Sequence, residues 1–409
     1  MTETVCHDHI IDPVLKKRLS KTASQSKCSY CERQALDDEK PFAIEMNDLG
    51  DEVWDAANWL YQWTDEGPYY IGDMSFSDET FYGTADVIYD TVEDAVDPAY
   101  SIPIVERLVE ATIATENWIG NTDPSALGWE AFARTVRFES RFVIVGTSGR
   151  PGHEDESPAR IAKFLDALLA YVESDLLVDL PADTILYRGR MTDDAAKLER
   201  DEISEEPSKT LGPAPSSRAE AGRLSPRGIG LFYAADALAT AVAEIALHSN
   251  YDEAIIGGFK TTRSLKLLDF SRQLTAFPSI FASDAESRRR WIFARFKEHF
   301  TEMIAAPVVL DGREAVDYTP TQVVAEWLRF VPETRIDGIA WPSHATVGEG
   351  KNVMLFFGPG SDFRTDPPTE TEMRHFTFKN PALTLSRDNI TQHHVKRTVQ
   401  VSPIEDEEP

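Results

Sequence analysis

Near residue 178 the periodicity of apolar residues changes, and this change constrains the fold more than any single motif. Before it, Val53–Trp63, Ile104–Ile119, Trp129–Phe142 and Ala159–Leu177 repeat aromatic and aliphatic side chains every three or four residues, which predicts four amphipathic helices. Trp54, Trp59, Trp63, Trp118 and Trp129 read as core or interface residues of that region. After it, short apolar runs alternate with turns: Thr184–Tyr187, Leu231–Ala235, Ala254–Phe259, Leu265–Leu268, Gly338–Ser343 and Val353–Phe357 each suit a strand. Helices at Asp284–Ile304 and Val323–Phe330 interrupt them. The expected fold class is therefore α+β, with a helical N-terminal domain followed by a mixed sheet with helices. The expected boundaries are a small metal-binding element at 1–34, a helical domain at 35–178, the sheet domain at 179–362 and a polar, weakly ordered tail at 363–409. Residues 146–158, GTSGRPGHEDESP, and 197–222, rich in Glu, Pro and Ser, read as loops, the second a mobile one.

A formal net charge of −28 excludes broad binding to nucleic acid or anionic membrane, which needs a field of the opposite sign, although a local basic pocket is compatible with it. No uninterrupted apolar run approaches the roughly 18 residues of a membrane span. The opening MTETVCHDHI lacks the basic-then-apolar layout of a signal peptide, so the expected location is the cytoplasm.

All three cysteines precede residue 32, which argues against a disulfide framework. Cys6-x2-His9 and, eighteen residues on, Cys28-x2-Cys31 together supply four donors of the kind that hold tetrahedral zinc. No open coordination position or general base is evident, so the ion is expected to be structural. His7 is an alternative to His9, and reduced cysteines without metal are the plainer alternative. Between the pairs, Asp12-Pro13 starts a short helix with Leu15 and Leu19 on one face.

Residues 223–248, RLSPRGIGLFYAADALATAVAEIALH, join a basic Gly/Pro turn, a short strand and a helix, with Asp236 placed to cap the helix. Glu244 is its single carboxylate among Ala, Val, Ile and Leu. It is either a solvent-edge residue or one with a chemical task, because burying it unpartnered is costly.

Five segments in order, YRGR (187–190), GRLSP (222–226), LFYAADALATAVAE (231–244), YTPTQVVAEWL (318–328) and DGIAWPS (337–343), resemble the RES domain family over about residues 180–360. The family arginine falls on Arg188, its tyrosine on Tyr233, its glutamate on Glu244 and its serine on Ser343. CHDHI, CSYCE and WEAFARTVRFESRF (129–142) resemble the HEPN-related helical domain that precedes some RES domains. The resemblance implies an ADP-ribosyltransferase-like mixed sheet split around an NAD cleft. It also implies a toxin-like enzyme that consumes NAD+ as a substrate by hydrolysis or phosphorolysis. Transfer of ADP-ribose to a protein acceptor and a non-catalytic binding or sensing module are the alternatives. An antitoxin or immunity protein is an implied partner.

The implied chemistry suits these residue types. Nicotinamide is a good leaving group, so the site needs a pyrophosphate anchor, a wall for the ring and an acceptor beside the ribose more than it needs an acid. Arg188 is expected to hold phosphate, with Arg223 a second candidate, and Tyr233 to stack. Glu244 is expected to serve the ribose and the incoming nucleophile, and Ser343 to hold the ribose or Arg188. Gln322 is expected to line the site. No GxGxxG or GxxxxGK[ST] loop occurs, so neither a Rossmann dehydrogenase nor a P-loop NTPase is supported. HEPN nucleases carry Arg-x4–6-His; residues 35–178 have none, and Arg387-x5-His393 lies in the tail.

Overall fold

The computed structural model describes residues 3–31, 33–36, 38–65, 70–71, 74–75, 81–112, 115–120, 129–144, 157–204, 207–247, 249–274, 278–306, 313–346, 349–358 and 381–397. Most of the 146–158 loop and the tail at 363–380 and 398–409 lie outside these residues. Contacts divide the chain into two units, Met1–Tyr171 with Leu274–Glu298, and Val172–Gln273 with His299–Pro409.

The first unit is helical, as its apolar periodicity dictates. Its helices are Pro13–Thr22, Met46–Leu60, Thr84–Val92, Pro98–Glu110, Trp129–Phe138 and Ser157–Tyr171. The Asp12 carboxylate caps the first, accepting from Val14 N and Leu15 N at 2.9 and 2.8 Å, with Pro13 preset for the first helical position. Leu15, Leu19, Val53, Ile88 and Ile104 form one core, to which Ile280, Phe281 and Trp291 also belong. The helix expected over 104–119 instead spans Pro98–Glu110, and Trp118–Gly120 is a strand. Asp97 and Pro98 set the helix start earlier, and Trp118 pairs with Trp63 in a three-stranded sheet and stacks on Trp54 at 5.5 Å.

The second unit is built on an eight-stranded mixed sheet. Its strands are β1 (Leu177–Leu180), β2 (Ile185–Thr192), β3 (Phe232–Ala235), β4 (Glu253–Thr261), β5 (Leu265–Asp269), β6 (Gly338–Pro342), β7 (Lys351–Leu355) and β8 (Leu383–His394). Their order is β8-β4-β2-β3-β7-β6-β5-β1, with β5 and β6 parallel and every other pair antiparallel. Leu186, Phe232, Ile255, Phe259, Leu355 and Leu383 are buried together along it. The sheet is deeply notched between β2 and β3, which share only the pair Ala235↔Tyr187. Three strands lie on one side of this seam and five on the other.

Two expectations about loop and tail need correction. The 197–222 stretch is not a plain mobile loop: Ala195–Leu198, Glu199–Ile203 and Pro207–Leu211 are helical turns. Ile203 and Leu211 are buried apolar anchors that the surrounding Glu, Ser and Pro mask in composition. The tail is not weakly ordered throughout, because β8 pairs with β4 at Leu383–Leu385 and Ile390–His394, on either side of a bulge. It is an edge strand whose Leu383 and Leu385 are buried in the core and whose Ile390 packs against it, and its remaining polar side chains hide a role carried by backbone hydrogen bonds.

Candidate functional site

Cys6 ends the strand Thr4–Cys6, His9 ends the helical turn His7–His9, and Cys28 and Cys31 lie on the loop after the first helix. Their ligand atoms all lie within 4.8 Å of one another. Cys6 and Cys31 Sγ are 3.8 Å apart, and Cys28 Sγ is 3.4 Å from His9 Nε2. Tetrahedral zinc with Zn–S near 2.3 Å and Zn–N near 2.0–2.1 Å requires edges of about 3.8 and about 3.6 Å, so the donor set fits. His9, and not His7, turns its ring to the thiols; it is 5 % exposed, and burial lowers its pKa, which favours the neutral, ligating imidazole. Burial and the nearby Cys28 and Cys31 push the Cys6 thiol up to about 12. Burial also disfavours the Cys28 thiolate, but N–H groups of Tyr30, Cys6 and Cys31 outweigh it and hold this thiol below its usual range. Three crowded sulfurs of this kind need a cation to become thiolates together. The four residues could therefore hold a metal ion.

In the second unit, the Leu238–Leu247 helix lies against the sheet and brings Glu244 to it. Its first turn approaches closely because residue 350 is glycine: a Cβ there would meet Thr240 Oγ1 at 2.0 Å. Asp236 does not cap this helix as expected. Its carboxylate accepts from Lys351 N at 2.9 Å and its own N–H donates to Lys351 O at 3.0 Å, so it fastens the strand end to β7.

Glu244 Oε1 accepts two hydrogen bonds, from Ser343 Oγ at 2.6 Å and Asn352 Nδ2 at 2.7 Å. Oε2 has no donor among the described residues. Ser343, 1 % exposed, continues β6 through Ser343 N to Gly350 O at 2.8 Å. It bonds Glu244 and not Arg188. Asn352, which sequence reasoning missed, pairs with Ala235 and with Trp341 across its two neighbouring strands. Directly opposed residues share a face, so Ala235, Asn352 and Trp341 lie on one side of the sheet, together with Tyr233 two residues along.

Arg188 starts from the opposite side, beside Phe232, whose ring centroid is 5.6 Å from its guanidinium carbon. The guanidinium reaches the seam: Nη1 donates to Tyr233 O at 2.6 Å and Nε to Leu211 O at 2.9 Å. It thus bridges β2 to β3 where the backbone ladder is missing. Nη2 has no acceptor among the described residues. Burial and neighbouring Arg190 lower its pKa to about 10, which leaves it charged at neutral pH.

Tyr233 is fixed through its hydroxyl, which lies 3.0 Å from Ser225 Oγ. Burial raises its pKa, partly offset by the bonds with Ser225 and Leu224 N–H. Ser225 belongs to a turn closed by Gly222 N to Ser225 O at 2.8 Å and followed by Gly228 at φ 90°, a conformation that favours glycine. Gln322 holds that turn from outside, donating to Gly222 O at 2.8 Å and Ser225 O at 3.3 Å. Arg223 donates to Met303 O at 2.6 Å, lies 5.0 Å from the Tyr318 ring and has its pKa lowered by burial. Gln322 and Arg223 are therefore committed to the turn and its surroundings. The turn also walls a shallow pocket with Leu224, Pro226, Ile229, Leu231, Arg329 and Phe356; Arg188, Tyr233, Glu244 and Ser343 do not line it.

Residues 197–379 match the family model of the RES domain, and residues 21–148 match that of HEPN/RES N-terminal domain 1. No curated protein and no solved structure matches the chain. Among the described residues, no helix is long and apolar enough to cross a membrane.

Proposed function

We propose that this chain, which joins a HEPN/RES N-terminal domain to a RES domain, cleaves the nicotinamide–ribose bond of NAD+ by hydrolysis or phosphorolysis and so depletes NAD+. The observation that carries the reading is the state of Glu244: one carboxylate oxygen is fixed by Ser343 and Asn352, and the other has no donor among the described residues. In the reaction the C1–N bond breaks and its electron pair returns to the pyridinium nitrogen, releasing neutral nicotinamide. C1 then bonds an oxygen of water or phosphate. Glu244 Oε2 is suited to accept from a ribose hydroxyl and to stabilise the positive charge that develops at C1. Arg188 Nη2 is suited to one charge-assisted bond to the pyrophosphate, laid along the seam, and Tyr233 to forming a wall for the nicotinamide ring. Ser343 acts on Glu244 in this scheme, and no nucleophilic role is assigned to it.

Incubation with NAD+ should release nicotinamide, and Glu244→Gln should reduce the rate by about 100-fold or more, in the range of losing an electrostatic stabiliser of the transition state. NAD+ left intact, with and without phosphate and candidate protein acceptors, would overturn the reading. ADP-ribose as co-product marks hydrolysis, its phosphate ester phosphorolysis, and label on a protein band ADP-ribosyl transfer. The site of action is taken to be the cytoplasm, where NAD+ is abundant and cysteines stay reduced.

For the N-terminal cluster we infer one structural zinc on Cys6, His9, Cys28 and Cys31. When bound, it would tie the strand Thr4–Cys6 to the loop after the first helix. Native mass spectrometry should show one zinc per chain, lost in Cys28→Ser, with a lower melting temperature. A metal-free wild type of equal stability would refute it.

A further inference from the structure

We propose that Asn352 is a positioning residue for the same reaction: by sharing Glu244 Oε1 with Ser343, it leaves Oε2 as the one carboxylate oxygen presented to substrate. The inference rests on the NAD+-cleaving reading of the site and extends it to a residue outside the arginine–tyrosine–glutamate–serine set. The amide orientation follows from chemistry, since an ionised carboxylate only accepts, so the atom 2.7 Å from Oε1 must be the NH2 nitrogen. The two donors come from different strands, Ser343 from the end of β6 and Asn352 from within β7. Ser343 alone would leave the carboxylate free to rotate about its single 2.6 Å bond. With both donors on one oxygen, rotation breaks at least one bond and strands a donor, which disfavours every orientation but one.

Asn352 is itself well held. Backbone pairing with Ala235 on one side and Trp341 on the other leaves it little freedom to shift along the sheet, and its side chain has no described partner except Glu244. A group so fixed transmits position. Moving a reacting group by about 1 Å can cost about 100-fold in rate.

The test is a mutant cycle on the full-length chain, read as nicotinamide release so that hydrolysis, phosphorolysis and transfer all register. Asn352→Asp keeps the shape, removes the donor and sets a second carboxylate against the first. Asn352→Ser, a smaller and neutral change, serves if the aspartate variant does not fold. Either is expected to lower kcat about 10- to 100-fold while KM for NAD+ changes less than about threefold, because binding contacts elsewhere are untouched. In a Glu244→Gln background the same change should lower the residual rate no further, since a residue acting through Glu244 has nothing left to act on. A parallel loss of kcat in both backgrounds, a loss confined to KM, or wild-type kinetics in folded Asn352 variants would each overturn the inference. A wild-type protein that releases no nicotinamide overturns the underlying reading. An active wild type that loses activity in Glu244→Gln but not in Asn352→Ser overturns the inference alone.

Discussion

Arg188 straps the notch in this structure, and substitution can separate that from the phosphate contact proposed for it. Its Nη1 satisfies the carbonyl of Tyr233 across the notch in the sheet and its Nε that of Leu211 at the end of a helical turn, while Nη2 has no acceptor among the described residues. Hydrogen bonds to a charged donor are worth about 1.5–3 kcal/mol each, and partly buried carbonyls left without one add a penalty. Arg188→Ala should therefore destabilise the fold by about 2–4 kcal/mol, visible as a lower denaturant midpoint, besides weakening NAD+ binding. Arg188→Lys keeps a charge but cannot reach two divergent carbonyls, and should recover less than half of that stability. An alanine variant as stable as wild type would show that the seam needs no strap. At this scale the sequence was partly legible. Arg188, Tyr233, Glu244 and Ser343 were named from their motifs, and the structure brings Glu244 to Ser343 and Arg188 to the Tyr233 carbonyl. Asn352 was not named, because its partner lies 108 residues away and the surrounding KNVMLFF reads as an ordinary core strand. The choice of His9 over His7 likewise needed burial, which spacing does not carry.

The element that decides where Glu244 sits is the Leu238–Leu247 helix, and its placement depends on the glycine after Glu349. An alanine at 350 would put a Cβ 2.0 Å from Thr240 Oγ1 and 3.0 Å from Thr240 Cβ, in a spot where Thr240 is 2 % exposed and has no room to turn away. Overpacking of this kind costs about 1–3 kcal/mol, and here the strain falls on the helix that carries Glu244. Gly350→Ala should therefore lose activity out of proportion to its stability, with Thr240→Ala in the same chain restoring much of both. Failure of that second change to rescue would place the effect elsewhere. Elements with strong apolar periodicity, such as those around Trp129 and Phe296, are legible as helices, and β3 to β7 as apolar runs within one or two residues of their ends, whereas the run Thr184–Tyr187 stops five residues short of the end of β2 at Thr192. What escaped was structure held by backbone pairing with few apolar side chains. In β8, LTLSRDNITQHH, apolar side chains reach the core only at Leu383, Leu385 and Ile390, and the strand is held to β4 mainly through main-chain groups that composition does not report.

Across the whole molecule the net charge of −28 bears on the proposed substrate, because NAD+ is itself an anion, with two phosphate charges against one pyridinium. At long range the protein's field opposes its approach, while Arg188, Arg190 and Arg223 act only nearby. Salt separates these contributions, since the screening length shrinks from about 30 Å at 0.01 M to about 8 Å at 0.15 M, which removes the distant repulsion before the close contacts. Raising ionic strength over that range should therefore lower KM for NAD+ by about two- to threefold, the reverse of the usual weakening of anion binding by salt. kcat should hold steady, because the Glu244–Ser343–Asn352 arrangement depends on bonds of 2.6 and 2.7 Å, which screening at that range barely touches. Initial rates across a salt series at fixed pH decide the matter. A KM that rises with salt would mean that the arginines, and not the acidic surface, set the field that an approaching NAD+ meets.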